Sequence, residues 1–116
     1  MKILVVDDEP EILTVVSKWL SKSGHNVLTT TDPQKALDLI QAADFDVVLL
    51  DLIMPGSTGL NLISRIQERK PKQAIIVMSV IEDMRVAVLA AQEGIHGYLT
   101  KPIDFEKLDR LLAEIH

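Results

Sequence analysis

Asp46-Val47-Val48-Leu49-Leu50-Asp51 is the stretch that decides the fold. Val47 to Leu50 is an unbroken apolar run that opens with two β-branched residues, and Met54-Pro55-Gly56 follows as a turn signal. So short and apolar a run predicts a strand buried on both faces, the habit of parallel sheets. Its last residue is a carboxylate, placed where open α/β sheets put their chemistry. The pattern recurs on either side. Ile3-Leu4-Val5-Val6 ends in Asp7-Asp8, Ala74-Ile75-Ile76-Val77-Met78 ends in Ser79, and the run around Tyr98-Leu99 ends in Thr100-Lys101-Pro102. Acids, a hydroxyl and an ammonium therefore fall at strand ends.

Helical patterns separate the strands. Pro10 opens a helix with Asp8 or Glu9 near its cap. Ile12, Leu13, Val16, Trp19 and Leu20 repeat at helical spacing, and Gly24 follows as the C′ residue. Asn26 to Thr30 alternates Val27 and Thr29 with Leu28 and Thr30, a half-polar pattern that predicts an edge strand. Asp32-Pro33 starts a second helix with Ala36, Leu37 and Ile40 inward, before the central strand at Asp46 to Leu50. After a loop, Ser57 or Thr58 caps a third helix with Leu60, Ile63 and Ile66 inward. A strand at Ala74 to Met78, a helix at Glu82 to Glu93 ending at Gly94, and a strand at Gly97 to Leu99 follow. Asp104 then caps a last helix with Phe105, Leu108, Leu111, Leu112 and Ile115 apolar. Strands alternating with helices imply right-handed crossovers and a parallel sheet. The expected fold is α/β: a doubly wound, five-stranded, flavodoxin-like sheet in the order 2-1-3-4-5. In that order the first and third strands meet at the topological switch point, so Asp7, Asp8 and Asp51 converge.

The chain has 116 residues, enough for one domain with a real core, read as 1–116. There is no cysteine, which excludes disulfides and thiolate metal sites. No apolar run approaches the roughly 20 residues of a membrane helix. The first run leads straight into acids, unlike a signal peptide, so a cytoplasmic protein without membrane contact is expected. The net charge is −5, with no basic stripe. Arg69, Lys70 and Lys72 around Pro71 read as a solvated turn, and no direct nucleic-acid binding is expected.

Crowded carboxylates repel by about 2–4 kcal/mol per close pair at an effective dielectric of roughly 20. A proton or a hard cation must offset this. An oxygen-only set without cysteine points to Mg²⁺. Lys101 adds a positive charge and Ser79 a hydroxyl. A cation, an ammonium and a hydroxyl around a carboxylate are the parts that let the carboxylate receive a phosphoryl group as a nucleophile. Taken singly, Asp8 reads as a cap, Ser79 as an N-cap and Lys101 as a surface lysine. Their shared position at the strand ends is what distinguishes the constellation.

The motifs Val5-Val6-Asp7-Asp8-Glu9-Pro10, Leu50-Asp51-Leu52-Ile53-Met54-Pro55-Gly56, Met78-Ser79 and Tyr98-Leu99-Thr100-Lys101-Pro102, in this order and spacing, resemble a response-regulator receiver domain of two-component signalling. Receivers are themselves an example of the 2-1-3-4-5 order. The resemblance implies that Asp51 is the phosphoacceptor, loaded by a sensor histidine kinase or phosphotransfer protein, and that the domain catalyses only its own phosphorylation and slow autodephosphorylation. Asp8, Asp51 and the Ile53 carbonyl would ligate Mg²⁺, with Asp7 acting mainly through water. Ser79 and Lys101 would bind the phosphoryl oxygens, and a cis peptide before Pro102 would let Lys101 reach Asp51. Tyr98 would be the switch aromatic, turning inward as Ser79 is drawn to the phosphoryl group. The output face would span the fourth helix, fifth strand and fifth helix, with Met84, Ala87, Ala91 and Tyr98 meeting an output domain, a partner protein or a second copy.

The chain departs from the family pattern at Val80, where a small residue is usual, at Ser57-Thr58 before Gly59, and at Ile103. Val80 narrows access. Ile53 and Ile81, two residues past Asp51 and Ser79, cannot orient a hydrolytic water, so a long-lived adduct is expected. His25, His96 and His116 have no metal spacing, and Trp19 reads as a packing residue. An aspartyl-nucleophile phosphatase or phosphotransferase needs an acid where Ile53 stands. A flavodoxin-like cofactor binder needs a Ser/Thr/Gly-rich loop where Asp7-Asp8-Glu9 stands. A receiver-like interaction module that never takes phosphate is the remaining alternative. No effector domain follows the last helix, so the expectation is a stand-alone receiver or one cut from a longer protein.

Overall fold

Ile3 to Val6 are completely buried in β1 (Lys2–Val6), as a strand covered on both faces requires. In the computed structural model, which describes residues 1–54, 57–80 and 94–115, β1 leads into α1 (Pro10–Lys22), β2 (Asn26–Thr30), α2 (Pro33–Ala42) and β3 (Val47–Asp51). A short antiparallel ribbon, β4 (Ile53–Met54) and β5 (Ser57–Thr58), follows, then α3 (Gly59–Arg69), β6 (Ile75–Val80), β7 (Gly97–Lys101) and a last helix, Phe105–Ala113. The expected Glu82 to Glu93 helix with Met84, Ala87 and Ala91 lies outside the described residues, as do Ile81, Pro55, Gly56 and His116.

The main sheet is parallel throughout, in the order β2-β1-β3-β6-β7, which is the doubly wound order expected. β2, at the edge, keeps Leu28 and Thr29 exposed. Strand periodicity sorts β1 into two cores. Leu4 and Val6 join Ala36, Leu37 and Ile40 of α2 and Ile63 and Ile66 of α3. Ile3 and Val5 join Leu13, Val16 and Leu20 of α1 and Leu108 and Leu112 of the last helix. Burying each of these leucine, isoleucine and valine side chains stabilises by about 1.5–3 kcal/mol.

Helix ends follow local chemistry. Asp32 Oδ1 accepts from Gln34 N–H at 2.9 Å, and Asp104 Oδ1 accepts from the amides of Glu106 and Lys107. Gly24, at φ 89°, takes the left-handed turn that ends α1. A Cβ on Gly97 would lie 2.8 Å from Leu111 Cδ2, so glycine there lets β7 approach the last helix.

Several boundaries differ from expectation. β3 starts at Val47, with the Asp46 side chain accepting from Lys2 N–H at 2.6 Å, and runs on to include Asp51 because Asp51 pairs with Met78. β6 and β7 run on to Val80 and Lys101 because Ser79 pairs with Thr100 and Val80 with Lys101. The segment after Asp51 is the β4–β5 ribbon where a loop was expected. The α1 N-cap is Glu9, but its side chain does not cap the helix. Trp19 is 38% exposed, stacks on Phe105 at 4.9 Å and donates to Asp109 Oδ1 at 3.0 Å. Lys70 is tied to Ala43 O and Asp44 Oδ1, both at 2.8 Å, where a solvated turn was expected.

Candidate functional site

Parallel register gathers the strand ends into one place. Val6 pairs with Leu50 and Asp51 with Met78, so Asp7 and Ser79 each follow a residue flanking the end of β3. Asp7, Asp51 and Ser79 are buried at that edge, at 0%, 3% and 1% exposure. Asp7 N–H donates to Thr30 O at 3.2 Å, and Asp7 Oδ1 accepts from Glu9 N–H at 2.9 Å. Asp51 Oδ1 accepts from Ile53 N–H at 3.2 Å.

The Lys101–Pro102 peptide is cis, as the resemblance implies. The Lys101 ammonium lies 2.8 Å from Asp7 Oδ2, 3.3 Å from Glu9 Oε1 and 3.4 Å from Asp51 Oδ2. One carboxylate oxygen from each of Asp7, Asp8, Glu9 and Asp51 falls in a group whose members lie within 4.8 Å of one another. Burial, with Asp7 beside it, pushes the Asp51 carboxyl up to about 6, against the opposing pull of the Ile53 amide and Lys101. Burial alone lowers the affinity of the Lys101 ammonium for its proton; Asp7, Asp51 and Glu9 outweigh it and leave the pKa raised.

This arrangement fits both a hard cation and an anionic ligand. The acids are an all-oxygen donor set whose mutual repulsion a divalent cation relieves. Ser79 Oγ is buried with no hydrogen-bond partner among the described residues, a donor suited to an anionic oxygen.

The structure thus brings together Asp7, Asp8, Asp51, Ser79 and Lys101. Ile53 and Val80 are half exposed, at 50% and 47%. Tyr98 pairs with Val77 and packs, partly buried, against the core under α2 and α3. Glu9 is the member that sequence reasoning assigned only to a helix start. Its acidity beside Asp7 and Asp8 was the available signal. His25 and His96 stay outside the site: His25 Nδ1 lies 3.1 Å from the Met1 amine, and His96 Nε2 lies 3.2 Å from Leu111 O.

A doubly wound sheet with acids at its switch point and a lysine reaching back over them defines a receiver. The chain belongs to the response regulator receiver domain family, whose model matches residues 3–113. It is 39% identical over 106 residues to the DNA-binding transcriptional regulator NtrC of Azospirillum brasilense, covering 91% of this chain and 22% of that protein. The chain therefore spans less than a quarter of that relative's length. A receiver domain protein of Clostridium thermocellum superposes with a TM-score of 0.91 at 32% identity, over 97% of this chain and 90% of that one. The beryllofluoride-activated NtrC4 receiver domain dimer gives 0.90 at 31% identity, over 97% and 93%. This is a receiver of the NtrC-like two-component response regulators, a signalling domain of a family that generally binds Mg²⁺. No helix among the described residues is long and apolar enough to cross a membrane.

Proposed function

We propose that Asp51 is the phosphoacceptor of a cytoplasmic signalling switch, loaded by a sensor histidine kinase or a phosphotransfer protein. The observation behind this assignment is the setting of one carboxylate: Asp51, 3% exposed, with the Lys101 ammonium 3.4 Å from its Oδ2. An Asp51 oxygen supplies the electron pair for the new bond to phosphorus, and the bond from phosphorus to the donor breaks with its pair leaving on the donor. Lys101 and the Ser79 hydroxyl take up the phosphoryl oxygens as charge shifts onto them. Asp8, Asp51 and the Ile53 carbonyl would hold Mg²⁺ directly, with Asp7 through water. When bound, the cation neutralises the acids and the incoming phosphoryl oxygens.

Ser79, drawn to the phosphoryl group, would free space for Tyr98 to turn inward and remodel the face of Met84, Ala87, Ala91 and Tyr98. That face would engage an output domain or a partner protein, or pair with a second copy. The activated NtrC4 receiver, described as a dimer, favours the last. Incubation with Mg²⁺ and acetyl phosphate should add the mass of one phosphoryl group to the intact chain, and Asp51→Asn should add none. A stable, Mg²⁺-dependent adduct on Asp51→Asn, gained on the wild-type time course, would falsify the assignment.

A further inference from the structure

Glu9 occupies the N-cap of α1 without using its side chain there. Short polar side chains serve that position because they can turn back to the first free amides. Asp32 and Asp104 do so at two other helix starts. The Glu9 backbone is held firmly, its N–H donating to Asp7 Oδ1 at 2.9 Å and its carbonyl accepting from the amides of Ile12 and Leu13. Its carboxylate instead faces Lys101, at 3.3 Å, with 55% of the side chain exposed. Asp7 meets the same ammonium from the buried side at 2.8 Å. Asp51, at 3.4 Å, is the most distant of the three acids around Lys101.

A lysine that serves phosphoryl oxygens on Asp51 must give up part of this arrangement. Asp7 is fully buried, so Lys101 cannot leave it without exposing an unpaired buried charge. Glu9 is open to water and can be released at little cost. We propose that Glu9 is a positioning residue: it tethers Lys101 toward the mouth of the site before phosphorylation and must let go for Lys101 to engage the phosphoryl group. This inference rests on Asp51 as the phosphoacceptor. Its effect falls on how fast Asp51 loads, since the tether competes with the lysine's productive position.

Charge and reach can be separated in the full chain. Glu9→Gln keeps the length and removes the charge. Glu9→Asp keeps the charge and loses the methylene needed to reach Lys101. Two measurements are made on each: the ¹⁵N resonance of the Lys101 ammonium in metal-free protein, assigned by its loss in Lys101→Arg, and the rate of loading by acetyl phosphate at saturating Mg²⁺ across donor concentrations. Both variants should shift the Lys101 resonance and raise the maximal loading rate about two- to fivefold, the scale of a half-exposed ion pair. Donor half-saturation should stay unchanged. If Glu9→Asp matches wild type while Glu9→Gln alone loads faster, Glu9 acts by charge and the tether is refuted. Slower loading with weaker Mg²⁺ binding in both variants makes Glu9 a metal ligand and also refutes it. A wild-type chain that gains no phosphoryl group overturns the Asp51 assignment instead; the ammonium resonance, which needs no phosphate, still decides the tether.

Discussion

Lys101 Nζ lies nearer to Asp7 Oδ2, at 2.8 Å, than to Asp51 Oδ2, at 3.4 Å. Asp7 thus has first claim on the cation, and the proposed nucleophile has the second. Lys101→Met removes the charge common to both and leaves two acids facing each other in a dry site. Breaking a buried pair costs about 3–5 kcal/mol, and the ammonium's residual exposure brings the expectation to about 2–4 kcal/mol at neutral pH. Urea unfolding at pH 7.5 and pH 4.5 checks this, with a clearly smaller loss expected at the lower pH, where Asp51 is protonated.

Asp51→Asn should have the opposite sign. The folded Asp51 carboxyl is raised to about 6 from an ordinary 3.8. Between those values the folded chain keeps a proton that the unfolded chain has lost, so stability falls as pH rises through that window. Above about pH 6 the whole cost of the ionised group is present, at most about 3 kcal/mol. The variant should therefore be more stable than wild type by about 1–3 kcal/mol at pH 7.5 and equal to it near pH 4. Equal stabilities at pH 7.5 would mean that the buried charge is compensated some other way.

Asp8→Ala should abolish Mg²⁺ binding together with phosphorylation. A cation that binds only the folded chain stabilises it by about 2.7 kcal/mol at a hundred times its Kd. Wild type should therefore melt at a higher temperature as Mg²⁺ is added, while the variant's Tm stays flat. A variant that still responds to millimolar Mg²⁺ would remove Asp8 from the ligand set.

Ile53 stands half exposed two residues beyond Asp51, and neither it nor Ile81 offers a polar atom to orient a water. Loaded protein, freed of donor, should keep its phosphoryl group longer than Ile53→Asn or Ile81→Glu, about tenfold being a reasonable scale for one positioned group. Val80→Ala should speed loading by a small donor, which is timed separately. If neither polar variant releases phosphate faster, water positioning does not set the lifetime.

Beryllofluoride should move the amide resonances of β7 and of residues 82–93 more than those of the β2 edge. Tyr98 is the expected relay, since it pairs with Val77, and Ser79, two residues along β6 and so on the same face as Val77, pairs with Thr100. Tyr98→Ala should reduce the shifts at residues 82–93 while leaving those at Asp51 in place. Equal shifts at both edges would leave the proposed output face without support.

The doubly wound sheet was legible because a strand buried on both faces leaves little choice of residue: Ile3 to Val6 and Val47 to Leu50 admit one pattern. The strand ends were legible for the same reason, since a charge after such a run stands out. Pairing was less legible. Ser79, Val80 and Lys101 lie in strands because of partners on the neighbouring strand, and the β4–β5 ribbon forms from residues on either side of a Pro-Gly pair, a sequence that reads as a plain loop. Glu9 was hidden by its position before Pro10, which reads as a cap. Its actual partner, Lys101, is 92 residues away along the chain.

Trp19 is the only tryptophan of the chain, and its indole N–H is tied to Asp109 on the last helix. It stands ten residues beyond Glu9 on the same helix, a span of about 15 Å at 1.5 Å per residue. Its ring, stacked on Phe105, joins the first helix to the last across 86 residues of sequence. Its fluorescence is therefore a built-in gauge of whether the two ends of the domain are closed. The emission should change sharply on global unfolding and stay nearly still while Asp51 is loaded, so one cuvette can separate a variant that has lost its fold from one that has lost only its chemistry.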